Sequence, residues 1–230
     1  MLFKSPVLSQ ASGSIAGITY SHNKGGLYQR QRRVPTNPNT VPQQAVRTLL
    51  GTLAVQWGTV LSPSQRASWA TYATNVPLIG PLGDSRPVTP LNMYIRSGVP
   101  RLQAGLLAFP DAPTQFNLGD YTAPSLGADG SGGANVSFNV ADTWAGEDDS
   151  VLLIFISRPV SPTIEFFKGP YQFAASIAGD STGPLTSPFD ILAANMPFGP
   201  TPAGTRRYWR ANVTRNDGRL GQEVRGFYDS

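Results

Sequence analysis

The most concentrated chemistry in this chain is a run of guanidinium groups. Arg30-Gln31-Arg32-Arg33 follows Tyr28, with Lys24 just before it and Arg47 further on. Guanidinium forks grip carboxylate or phosphate oxygens through paired hydrogen bonds, and a nearby aromatic ring can stack a base or pack on protein. Alternation along a strand puts Tyr28, Arg30 and Arg32 on one side and Gln29, Gln31 and Arg33 on the other. The cluster uses Arg and no Lys, as do 15 of the 18 basic residues, which suits planar, fixed protein contacts. Tyr28, Arg30, Arg32, Arg33 and Arg47 are therefore read first as a protein-contact surface and second as a nucleic-acid surface.

Other residue combinations offer less. His22, the one histidine, sits beside Asn23 and Lys24 in an expected turn, where a catalytic role needs a nucleophile or carboxylate from elsewhere. Glu147-Asp148-Asp149 with Asp142 could supply oxygen ligands, but the spacing matches no calcium loop, and a solvated hairpin end is preferred. Gly127-Ala128-Asp129-Gly130-Ser131-Gly132-Gly133 lacks the Lys-Ser/Thr of a phosphate-binding loop and precedes no helix pattern, so it reads as a flexible hairpin loop. The absence of Cys excludes thiol catalysis, disulfides and Cys-based metal sites. The expectation is a protein that is not an enzyme, with no cofactor and no metal.

With 24 Gly and 21 Pro among 230 residues, long helices cannot dominate. Only 14% of residues are charged and 40% are apolar, which permits a real core. The net charge of +4 hides a division. Residues 1–110 carry ten cations against the single carboxylate of Asp84, while residues 111–230 carry eight cations against thirteen carboxylates. A cationic half and an anionic half favour arm-onto-body contacts between copies as much as nucleic-acid binding. Met1 to Pro6 shows no secretory pattern and no run is long and apolar enough for a membrane span. Synthesis in the cytosol, without a membrane role, is expected.

Residues 1–40 lack an apolar stripe and read as an extended basic arm with a loose β-hairpin. Its expected strands are Ile15 to Tyr20 and Leu27 to Arg33, with the turn in Ser21 to Gly26, and Pro35 to Asn39 is expected to be extended. Residues 41–106 read as a helical hairpin region. Thr40, Pro42 and Gln43 can start one helix and Ser62-Pro63-Ser64-Gln65 a second. A third starts at Thr89-Pro90, is interrupted by Pro100 and closes near Gly105. Helical spacing assigns Val46, Leu49, Leu50, Leu53, Trp57, Trp69, Tyr72 and Tyr94 to its core rather than to an aromatic binding platform.

From 107 to 230 the texture is all-β. Expected strands are Ala134 to Val140, Val151 to Ser157, Thr163 to Ala175, Thr205 to Thr214 and Glu223 to Tyr228, with Asn216-Asp217-Gly218 as a tight turn. Some seven strands in this length suit an immunoglobulin-like or fibronectin-like β-sandwich, giving an α+β chain overall. A sandwich that binds carbohydrate would need exposed aromatics, with Trp144, Trp209 and Tyr171 as candidates.

The order of residues also carries a resemblance. Ser14-Ile15-Ala16-Gly17, Gly25-Gly26-Leu27-Tyr28-Gln29-Arg30, Pro35-Thr36-Asn37-Pro38, Gln44-Ala45-Val46-Arg47, Trp57 and Leu61-Ser62-Pro63-Ser64-Gln65-Arg66-Ala67-Ser68-Trp69-Ala70-Thr71-Tyr72-Ala73 resemble a poorly characterised family of proteins encoded by tailed bacteriophages and prophages. The resemblance spans about residues 12 to 105, with a looser match behind. It implies a phage context and a structural place in the virion, and transfers no active-site residue. The expected partners are other virion proteins, whether major capsid, neck or tail, in a homo-oligomer or on a lattice. Capsid decoration or reinforcement is the first choice, with a neck or tail component, or a module touching packaged DNA, as alternatives.

Overall fold

A computed structural model describes residues 12–23, 26–33, 36–79, 85–86 and 88–230. The chain is α+β, and the described residues form three α-helices and antiparallel sheets. It divides into two compact units, residues 1–40 and 41–230.

The first unit holds a three-stranded antiparallel sheet of β1 (Gly13–Ile15), β2 (Ile18–Asn23) and β3 (Gly26–Gln31), in that order. The expected single strand from Ile15 to Tyr20 is broken. Ala16 and Gly17 take φ of 44° and 90°, the positive values that a two-residue type I′ hairpin turn demands at both central positions. Ile15 and Ile18 thereby become direct cross-strand partners. Strands β2 and β3 run further than expected, since Asn23 pairs with Gly26; Lys24 and Gly25 lie outside the described residues, as do Val34 and Pro35.

The second unit begins with α1 (Val41–Thr59), α2 (Pro63–Asn75) and α3 (Pro90–Gln103), with a ribbon of β4 (Leu78–Ile79) and β5 (Ser85–Arg86) between the last two. A reciprocal capping box starts α2. Gln65 N donates to Ser62 Oγ at 3.2 Å and Ser62 N donates to Gln65 Oε1 at 2.9 Å, with Pro63 needing no donor in the first turn. Thr89 caps α3 through Asn92 N at 3.3 Å. Pro100 does not interrupt α3 as expected, because it lies near the end and removes a single donor. The helix closes at Gly105, whose φ of 81° lets Leu106 N bond Arg101 O at 2.9 Å and Gly105 N bond Leu102 O at 3.2 Å.

Leu53, Trp69, Tyr72, Met93 and Tyr94 are buried together, with Trp57 half-buried against Tyr94 at 5.6 Å between ring centroids. Val46 and Leu50 differ from their core assignment, at 39% exposure each, and Leu49 is half-buried. The cause is the crossing of α1 and α3. Gly98 lets Leu53 in so closely that a Cβ there would lie 2.8 Å from Leu53 Cδ2, and Gln56 accepts from Tyr94 OH at 3.0 Å. In this antiparallel register, about two turns back along α1 brings Val46 level with Gly105, past the end of α3.

The remaining strands are β6 (Ser125–Ala128), β7 (Ala134–Ser137), β8 (Val151–Ser157), β9 (Tyr171–Ala178), β10 (Phe189–Ile191), β11 (Arg206–Thr214) and β12 (Val224–Asp229). They form two antiparallel sheets, ordered β10-β7-β6 and β12-β11-β8-β9. Leu126, Val136, Leu152, Ile154, Ile156, Trp209, Ala211 and Val213 share one core with Trp144, the inward half of the strand alternation. Gly226 lies opposite Trp209, and a Cβ there would sit 2.4 Å from the indole.

Two expected strands are cut short at one end. The strand expected at 134–140 stops at Ser137, where Phe138 N turns to Ser187 Oγ at 3.0 Å, and Val140 is exposed. The one expected at 163–175 starts at Tyr171, because Gly169 takes φ of 141° and Pro170 follows it. Strands β6 and β10 are additions.

The stretches 41–106 and 107–230, read separately from the sequence, are layers of one unit. Arg101 of α3 is buried, donating to the carbonyls of Leu107, Asp149 and Arg215 at 2.8, 2.9 and 3.1 Å while its guanidinium lies 3.9 Å over the Phe109 ring. Val151 and Leu153, on the outer side of β8, pack with Ala104 and Leu106.

Candidate functional site

The antiparallel register sorts the N-terminal sheet into two faces. Ser14 opposes Thr19, Thr19 opposes Arg30, and Ser21 opposes Tyr28, so these residues share a polar, cationic face, marked by a 2.8 Å bond between the Ser14 and Thr19 hydroxyls. Pairing extends past β3, since Arg32 N donates to Gly17 O at 2.6 Å. Tyr28, Arg30 and Arg32 therefore stand on one side and Gln29, Gln31 and Arg33 on the other. Tyr28 is half-buried, and Arg30, Arg32 and Arg33 are exposed. Arg47 is exposed too, on α1 of the second unit, and is not part of this sheet.

The opposite face was missed by sequence reasoning. It carries Ile15 beside Ile18, then Tyr20, and Leu27 beside His22. Reading Ile15 to Tyr20 as one strand places Ile15 and Ile18 on opposite sides; the Ala16-Gly17 turn folds them onto the same one. The signal was present in Gly17, a residue suited to positive φ. Ile15 is 72% exposed and Ile18 40%, and no described residue of the unit is buried.

Electrostatics separate this sheet from the rest of the chain. Residues 1–40 contain no Asp or Glu, so Arg30, Arg32 and Arg33 have no carboxylate within their own unit. The β body is the reverse. Arg206 pairs with Asp229 at 2.7 Å, Arg219 with Asp217 at 2.6 Å, and both Arg210 and Arg225 with Glu223 at 3.1 and 2.6 Å. Arg215 Nε donates to Glu147 Oε2 at 2.8 Å, and that hydrogen bond, with a further one from Ser150, holds the Glu147 carboxyl below its ordinary range. Arg207 is wholly buried on the carbonyls of Ser157, Pro197 and Gly199 at 2.9, 2.8 and 2.6 Å.

The remaining sequence candidates are occupied structurally. Glu147 is held by Arg215, and Asp148 accepts from Ser181 N and Oγ at 2.9 and 2.7 Å. Asp142 accepts from Thr122 N and Oγ1, both at 2.7 Å. The glycine-rich loop is shaped by Asp129, whose Oδ1 accepts from Ser131 N and Gly133 N at 2.7 and 2.8 Å. His22 is exposed at the end of β2. Among the described residues, no group of three or more His, Asp or Glu side chains is placed to hold a metal ion. Trp144 and Trp209, considered as sugar-stacking residues, are buried in the core, because their strands and the loop before β8 turn these rings inward.

Among the described residues no helix is long and apolar enough to cross a membrane. No protein-family model, curated protein or solved structure matches the chain.

Proposed function

We propose that this chain is a non-enzymatic structural subunit of a tailed-phage particle, which joins neighbouring subunits through its N-terminal sheet and decorates or reinforces the capsid. The observation that carries this reading is the sheet itself. Ordering strands of 3, 6 and 6 residues costs about 1–2 kcal/mol per residue. Full burial of Ile15, Ile18 and Leu27 would contribute about 1.5–3 kcal/mol each, but these residues are not buried in their own unit. A three-stranded sheet with one apolar face needs something against that face. The other face presents Arg30 and Arg32 without carboxylates, which suits an acidic protein neighbour.

The first turns of α1 extend the same logic within the second unit. Val46 and Leu50 are exposed along a stripe whose continuation, Leu53, is fully buried. The β body reads as an immunoglobulin-like or fibronectin-like sandwich. Counting its seven strands from β6, the first, second and fifth make one sheet and the third, fourth, sixth and seventh the other, an arrangement in keeping with Greek-key sandwiches. A body of this kind with a separate adhesive sheet suits a lattice of repeated sites.

Mass spectrometry of purified particles, with the copy number measured against the major capsid protein, tests the proposal. A stoichiometric ratio supports decoration, a few copies per particle favour the neck or tail, and absence from particles overturns the reading. Contact with packaged DNA is favoured only by Tyr28 and Arg30 sharing a face. That alternative requires duplex binding which weakens steeply with salt, by about 0.9 in the log–log slope per phosphate contact.

A further inference from the structure

The outer side of the four-stranded sheet carries a row of rings and charges in which Phe155 is buried with Val151 and Leu153, while the side chains flanking it stay open and serve no part in the proposed assembly. Register places Arg225, Arg210, Phe155 and Phe173 side by side across β12, β11, β8 and β9, a row spanning roughly 14 Å at the usual strand spacing. Phe227 stands one step along β12 on the same face, and Tyr171 one step along β9. Phe227 is 52% exposed and Phe173 38%.

Polar groups lie among these rings with both hydrogen-bonding senses. The Arg210 guanidinium is 4.7 Å from the Phe155 ring and 5.3 Å from that of Tyr171, and Arg206 is 3.9 Å over Phe227. Two carboxylates serve three guanidiniums, since Glu223 takes both Arg210 and Arg225 while Asp229 takes Arg206. Arg225 is the cation in excess. It donates to Glu223 through Nε at 2.6 Å, and its two terminal nitrogens make no hydrogen bond among the described residues.

We infer that this face binds a pyranose glycan, with preference for one that bears a carboxylate. Flat apolar rings fit the C–H face of a sugar, and its hydroxyls, which both donate and accept, need the mixture of guanidinium and carboxylate edges found here. Arg225 supplies the fork for an acidic group. A nucleic acid fits less well. One excess cation cannot match a charge on every nucleotide, and Glu223 and Asp229 would repel the backbone. The site is independent of the N-terminal sheet, so particle assembly and glycan binding can fail separately.

The test uses the full chain with trigalacturonate as the acidic probe and maltotriose and cellotriose as neutral ones, followed by NMR titration, with a poly-dT oligonucleotide in parallel. Binding of trigalacturonate at least fivefold tighter than the neutral sugars is expected. Phe227→Ala and Phe173→Ala should each weaken binding of all sugars about tenfold, and Arg225→Gln should abolish the acidic preference while keeping neutral binding. All three residues are partly or largely exposed, and unchanged melting temperatures verify the fold. Absence of binding to every sugar, sugar binding insensitive to these substitutions, or preferential binding of the oligonucleotide overturns the inference. So does a dimer that Phe227→Ala dissociates, since the face would then serve a second copy of the chain.

Discussion

Ile15 and Ile18 face each other across the two-residue turn made by Ala16 and Gly17. That pairing turns a segment poor in apolar residues into a sheet with a defined apolar side, and it ties Arg30 to the opposite side through Thr19. Apolar and cationic side chains are separated by the pleat rather than by distance along the chain.

Ile18→Asp should leave the melting of residues 41–230 within about 0.5 kcal/mol of the parent, as an exposed substitution does, while preventing incorporation into particles. Calorimetry and particle pull-down check both halves. Incorporation at the parental level would remove the apolar face from the account.

Replacing Arg30, Arg32 and Arg33 together by Ala should likewise spare the isolated monomer, because residues 1–40 hold no carboxylate for them to lose. Assembly should weaken, and the deficit should resemble the effect of raised salt on the parent. A drop of several kcal/mol in monomer stability would show that these side chains already have an intramolecular partner.

The helical region allows a paired comparison. Trp69 is buried and donates through Nε1 to Pro110 O at 3.0 Å, so Trp69→Ala should cost about 3–5 kcal/mol. Leu50→Ala, on the exposed part of α1, should cost under about 1 kcal/mol in the monomer. Urea melts of both variants decide whether the exposed stripe belongs to the core.

Gly226→Ala should destabilise the β body by about 1–3 kcal/mol, the usual penalty of overpacking, because its Cβ would enter the Trp209 indole. Near-ultraviolet dichroism of the tryptophans should change with it. An unperturbed melt and spectrum would contradict this packing.

Glu147 should give the protein an acid limb. Its folded carboxyl titrates below the ordinary value, chiefly through the hydrogen bond from Arg215. The resulting stability is complete above the unfolded value near 4.5 and disappears as pH falls through the lower folded value. Glu147→Gln should therefore be less stable than the parent at pH 7, by about 3 kcal/mol if the buried Arg215 is left without its partner. The gap should narrow as pH drops below about 4.5. Melts at pH 7 and pH 3 that differ equally between the two proteins would exclude this linkage.

Helix starts were legible where local chemistry decides them. Ser62 with Gln65 and Thr89 with Pro90 are short-range signals that the structure repeats. The fully buried strand Val151–Ser157 was legible for the same reason, as an unbroken apolar run. Burial along α1 was not, because spacing shows that Val46, Leu50 and Leu53 share a stripe but not where α3 stops covering it. The apolar face of the N-terminal sheet was hidden by a single turn at Ala16, whose positive φ no propensity for Ala suggests. The aromatic face around Phe227 was missed because it exists only in the pairing of four strands that are far apart in sequence.

Amide hydrogen exchange over residues 13–31, measured on the isolated chain and again in assembled particles, decides whether the N-terminal sheet depends on a foreign surface. Fast exchange in the isolated chain and strong protection in the particle are expected. Strong protection of these amides in the isolated chain would contradict that dependence.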